Sequence, residues 1–129
     1  MAAIQKFDVI IIGAGPAAWT AATYLVRVSV KTLVIGKQEQ SGLYDAAEVW
    51  NYPGFIQGIA GRELLDRMMT QALEQGAAFV KNEVTHVEEV KPEFQPATGR
   101  FYVRLADRQE FYCDNLILAH GANYIKINL

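Results

Sequence analysis

The sequence predicts an α/β fold: a parallel central sheet with flanking helices and a small antiparallel meander at about residues 84–113. Three observations carry that prediction. Phe7–Ile12 (FDVIII) and Lys31–Ile35 (KTLVI) are short apolar runs without alternation, as expected of strands buried on both faces. Between them, Gly13-Ala14-Gly15 leads into Pro16 and a helix over 16–28, because proline loses nothing in a first helical turn. Later, Phe101, Val103 and Leu105 alternate with Tyr102 and Arg104, the pattern of a strand with one wet face. The first two observations together make a strand–helix–strand unit, Rossmann-like, whose crossover is right-handed in nearly all sheets.

The remaining elements follow in chain order. Residues 36–60 hold four glycines and Pro53 and read as a long, mostly irregular connection, a kind of segment that is often functional. From Arg62 to Gln75, Leu64, Leu65, Met68, Met69, Ala72 and Leu73 fall on one helical face, with Glu63 and Arg67 paired on the other. The methionine pair reads as part of a core stripe. Gly76 is expected to end this helix in a left-handed cap. Ala77–Val80 and Val84–Val90 read as strands, and Pro92, Pro96 and Gly99 as breaks. Glu110–Cys113 is expected to pair with the 101–105 strand, and Leu116–Ala119 to form a separate buried strand.

Composition narrows the function. The 129 residues are 51% hydrophobic and carry a net charge of −2, which suits one globular domain and argues against an electrostatic grip on nucleic acid. Cys113 is the single cysteine, so these residues hold no dithiol pair and no multi-cysteine metal site, and Cys113 reads as a buried structural thiol. The 18 uncharged residues Val9–Val26 approach the length of a membrane span or a signal peptide. Gly13, Gly15 and Pro16 split them into strand, turn and helix, so neither membrane nor export is expected, and the location expected is cytoplasmic.

The chemistry concentrates at Gly13-Ala14-Gly15-Pro16-Ala17-Ala18, which matches G-x-G-x-x-G/A. Gly13 allows the tight turn, Gly15 leaves room for a pyrophosphate, and Ala18 lets the helix pack on the strand. The first helix amides and the helix dipole then face the phosphates. The acid expected at the end of the second strand to bind a ribose is absent. That place holds Gly36 and Lys37, so either the ribose is held by backbone groups, or Lys37 faces a 2′-phosphate and the ligand is NADP, against the commoner fate of such a lysine as a solvated surface residue.

Beyond that motif, five stretches together resemble the N-terminal part of the thioredoxin-reductase-like, FAD-dependent pyridine nucleotide-disulfide oxidoreductases. They are 9–27 (VIIIGAGPAAWTAATYLVR), 41–43 (SGL), 48–55 (EVWNYPGF), 59–77 (IAGRELLDRMMTQALEQGA) and 117–122 (ILAHGA). The resemblance implies that residues 1–129 are an FAD-binding domain, part of a two-dinucleotide-domain flavoprotein. It places Gly13, Gly15, Pro16 and Ala17 at the pyrophosphate, and Gly36 and Lys37 near the adenosine ribose. Gly42, Leu43 and Asn51 fall at the flavin end, Val84 at the adenine through its backbone, and Ala119 and Gly121 over the cofactor. Three departures stand out. Gln40-Ser41-Gly42-Leu43 replaces the family's Gly-Gly-Gln-Leu, Trp50 replaces a glutamate, and His120 replaces a threonine.

The resemblance stops just after Ile127-Asn128-Leu129, and neither a second glycine motif nor a C-x-x-C occurs. No catalytic or metal-binding residue is therefore assigned. The expectation is an FAD-binding segment, truncated or cut from a longer enzyme, that does not turn over alone. It would self-associate or take a partner chain that supplies the missing part of the fold. The alternative is a non-catalytic module that binds NADP or another protein.

Overall fold

The computed structural model describes residues 3–122, so the Ile127–Leu129 stretch lies outside it. In chain order the strands are β1 (Gln5–Ile12), β2 (Thr32–Gly36), β3 (Ala78–Lys81), β4 (Val84–Glu89), β5 (Phe101–Leu105) and β6 (Glu110–Leu118). The helices are α1 (Pro16–Arg27), α2 (Gly42–Asp45), α3 (Gly61–Glu74) and α4 (Gln95–Thr98), with a 3-10 turn at Gln38–Gln40. The sheet order is β3-β2-β1-β6-β5-β4. The first four strands of that order are parallel, and β6, β5 and β4 are antiparallel.

This order cannot be a flat ribbon. Five strand spacings of about 4.8 Å would put β3 and β4 roughly 24 Å apart. Only Asn82 and Glu83 join them, and three chain steps reach about 11 Å at most. The meander therefore folds back over one face of the parallel sheet, and the core falls into two slabs. On one face Val9, Ile11 and Val34 pack against Ala18, Trp19 and Ala22 of α1 and Leu65 and Ala72 of α3. On the other, Phe7, Ile10, Leu33 and Ile35 pack against Val103, Leu105, Phe111 and Cys113 of the meander. Each fully buried aliphatic side chain contributes about 1.5–3 kcal/mol, so neither slab is a minor term.

An irregularity in β1 sets this division. The amides of Asp8 and Val9 both donate to the Lys31 carbonyl, at 2.9 and 3.1 Å. Across this shared carbonyl Phe7 and Val9 fall in opposite slabs, while the β1–β6 register runs on without a shift. Asp114, one residue beyond the Phe7↔Cys113 pair, accepts an ion pair from Lys6 at 3.3 Å on the half-exposed edge.

Three expectations change. The strands read at 110–113 and 116–119 are one continuous strand, β6. Asp114-Asn115 looks like a break, but β1 pairs along nearly all of β6 while β5 pairs with its first half. The segment containing Pro96 forms the short α4, because proline sits in its first turn, and only Gly99 ends it. The 36–60 connection is more regular than expected. It contains the 3-10 turn, α2, and a bridge of two backbone hydrogen bonds between Val49 and Ile59.

The α3 stripe is in place: Leu64, Leu65 and Ala72 are buried, with Met68, Met69 and Leu73 packed beside them. Its end is a Schellman motif. Gly76 has φ +113°, with Gly76 N–H to Leu73 O at 3.1 Å and Ala77 N–H to Ala72 O at 3.0 Å. Cys113 is fully buried, and burial pushes its thiol up to about 11, so it stays protonated and unreactive at neutral pH. No helix among the described residues is long and apolar enough to cross a membrane.

Candidate functional site

The C-terminal ends of β2, β1 and β6 meet at one corner. Gly13 N–H donates to Ile35 O and Ala119 N–H to Ile12 O, each at 2.8 Å, which carries the parallel pairing one residue past β1 on both sides. The chain then turns sharply at Gly13, whose φ is +128°. A Cβ on Gly13 would lie 2.1 Å from Ala119 O, and one on Gly36 would lie 2.7 Å from the Gly13 carbonyl carbon. The backbones of Gly13, Ala14, Gly36 and Ala119 thus approach each other closely at this corner. The motif's first glycine has this close approach as a reason beyond the turn itself.

Helix α1 starts from that corner at Gly15 and Pro16. No side chain caps it, and its first turn carries no acid. Its leading amides keep the partial positive charge of a helix start and have no side-chain acceptor. Gly15 has an ordinary extended conformation, and among the described residues other than its chain neighbours only Ser41 bounds the space where its Cβ would stand, with Oγ at 3.0 Å and Cβ at 3.4 Å. Ala17 is exposed, Pro16 half-buried and Ala18 fully buried against the sheet.

Two residues that matter here escape the motif. Trp19 is fully buried, stands edge-on to Phe79 with ring centres 5.0 Å apart, and donates its indole N–H to Ala14 O at 2.9 Å. It locks the carbonyl in the middle of the glycine turn. Ser41 caps α2, its Oγ accepting from Leu43 N–H at 3.2 Å, and its side chain faces Gly15. A polar residue just before Gly42-Leu43 is a recognisable capping signal. Nothing in the sequence alone points the Trp19 indole at Ala14.

At the end of β2, Lys37 is half-buried and extended. Glu39, the nearest acid, pairs with Lys81 at 3.5 Å. Its own backbone hydrogen bond, then the charges of Lys81 and Lys37, hold its carboxyl below the ordinary range. That acid is therefore engaged with a neighbour on β3. Gln38 Nε2 is buried without a hydrogen-bond partner, an amide donor with capacity left over beside the same strand end.

The other expected residues are more scattered. Leu43 packs against the first core slab, while Gly42 is exposed with open space around it. Asn51 is exposed in the lobe that the Val49–Ile59 bridge closes. Val84 packs its side chain into the second slab, leaving its backbone as the group that could meet a ligand. Lys81, three residues earlier, is level with Gly36 in the sheet. Ala119 is half-buried at the corner, and Gly121 is exposed with φ +73°. The exposed His120 lies 3.0 Å from Gly121 O through Nδ1. No grouping of three or more potential metal ligands occurs among the described residues.

This arrangement matches known proteins along its length. Residues 7–129 match the family model described as pyridine nucleotide-disulphide oxidoreductase. The chain is 38% identical to a thioredoxin reductase of Listeria monocytogenes, over 98% of this chain and 38% of that protein. It is 49% identical to one from Mycolicibacterium smegmatis, over 63% of this chain and 26% of that protein. In solved structures, a thioredoxin reductase from Gloeobacter violaceus superposes with a TM-score of 0.82 at 30% identity, covering 95% of this chain and 37% of that one. The enzyme from Lactococcus lactis gives 0.79 at 33% identity, covering 95% and 38%. The chain therefore spans little more than a third of the length of these relatives.

Proposed function

This chain belongs to the pyridine nucleotide-disulphide oxidoreductase family, and from that premise we propose that it is the FAD-holding segment of a thioredoxin-reductase-like oxidoreductase. The observation that carries this reading is the corner at Gly13–Gly15: a helix start without a side-chain cap, a backbone turn at Gly13 packed against the Gly36 and Ala119 main chain, and the Ser41 hydroxyl facing Gly15. A pyrophosphate fits those donors, because its charge complements the helix start and its oxygens accept from amides.

Gly13, Gly15, Pro16 and Ala17 would hold the pyrophosphate. Gly36 and Lys37 would adjoin the adenosine ribose, and the Val84 backbone the adenine. Gly42, Leu43 and Asn51 would stand toward the flavin, with Ala119 and Gly121 closing over the cofactor. Bound FAD would supply the hydride and electron transfer, while the chain binds, orients and excludes water.

The test is a titration with FAD, followed by flavin absorbance near 450 nm and fluorescence. Wild type is expected to bind. Gly15→Val should keep the fold and lose at least about 100-fold in affinity, since the branched side chain stands where the phosphates approach. Retained affinity in that variant would overturn the cradle.

The 129 residues contain a single, buried cysteine and one glycine motif of this kind. By themselves they would bind FAD without reducing disulfides at the expense of NADPH, and a disulfide-reductase assay on the isolated polypeptide checks this. Strand β3 is a sheet edge and Leu118 is 65% exposed, which supports self-association or a partner chain seated there. Light scattering at tens of micromolar should show a species larger than the monomer. A second reading, a non-catalytic NADP-binding or protein-interaction module, has Lys37 at the end of β2 in its favour. A colourless protein that takes up NADP but not FAD would support it.

A further inference from the structure

We infer that Ser41 is a positioning residue for the cofactor's pyrophosphate, giving it a hydroxyl donor from outside the helix that cradles it. The inference rests on the FAD reading above. The Oγ atom lies 3.0 Å from the point where a Gly15 Cβ would stand, which is the space the motif keeps free for the phosphates. Apart from Gly15's own chain neighbours, Ser41 is the only described residue within 4 Å of that point. Its oxygen is engaged as an acceptor from Leu43 N–H at 3.2 Å. A hydroxyl can accept and donate at once, so this bond orients the oxygen and leaves its proton available. That proton is free to rotate toward an acceptor seated at the corner, where no side chain caps α1. A phosphate seated at Gly15 would accept from the α1 amides on one side and from the Ser41 hydroxyl on the other. A glycine at this position would supply only the first set.

Because Ser41 also caps α2, the variants must separate capping from donation. Ser41→Ala removes both, Ser41→Thr keeps both, and Ser41→Asp keeps the acceptor while replacing the donor with a negative charge. The dissociation constant for FAD, measured by equilibrium dialysis with circular dichroism as a check on folding, should rise about tenfold in Ser41→Ala. Ser41→Thr should stay within about threefold of wild type, and Ser41→Asp should bind more weakly than Ser41→Ala. Rescue by Ser41→Asp would mean that only the cap matters and would overturn the inference. So would unchanged affinity in a folded Ser41→Ala protein, which leaves the FAD reading standing. Failure of wild type itself to bind FAD would overturn both.

Discussion

Two strand-to-helix corners lie side by side in this molecule and solve the same problem differently. Between β1 and α1 the chain turns in three residues, makes no side-chain cap, and leaves the helix start open. Between β2 and α2 it takes five residues, builds a 3-10 turn, and closes the helix start with the Ser41 hydroxyl. A helix whose first amides already have an acceptor has little to offer an anion, whereas one without such a partner has charge and donors to spare. The binding corner is therefore the one that looks locally unfinished. It is held in shape from behind, by the Trp19 indole and by glycine backbones pressed against each other, rather than by groups in front of it.

The comparison breaks most severely at Gly13. Gly13→Ala would put a methyl group 2.1 Å from Ala119 O on a backbone with φ +128°. It should cost at least about 3 kcal/mol, read as a lost or sharply lowered urea midpoint. Trp19→Phe tests the support from behind. The smaller ring leaves part of the slab unfilled and Ala14 O loses its partner, so stability should fall by at least about 2 kcal/mol. FAD affinity should fall with it, and unchanged affinity would show that the turn holds itself. The smallest effect belongs to the other corner. Ser41→Ala should cost about 1 kcal/mol of stability through the lost cap, measurable as a shift in thermal midpoint.

Much of this was legible from the chain, for identifiable reasons. β1, β2, α1 and α3 carry signals long enough to outweigh local noise: unbroken apolar runs for the strands and a stripe at helical spacing for α3. The corner announced itself through its glycine spacing, and at Gly13 glycine answers a steric demand that no other residue meets. What escaped was tertiary. Asp114-Asn115 have the chemistry of a turn, yet the pairing partners on either side keep β6 extended through them. A tryptophan in an apolar helix reads as core, which Trp19 is, while the destination of its N–H depends on how α1 meets the turn. Ser41 drew attention as a departure from a familiar pattern, and its capping role became visible only once α2 was seen to begin at Gly42.

The two-residue join at Asn82-Glu83 has a mechanical consequence. The meander is tethered to the parallel sheet at both ends, by that join and by the unbroken length of β6. A flap hinged at one end can lift, but one clamped at both must shear its whole buried slab to move. The β4–β6 layer should therefore exchange its amide hydrogens together with the sheet beneath it. The lobe between Val49 and Ile59, by contrast, is joined across its neck by two backbone hydrogen bonds.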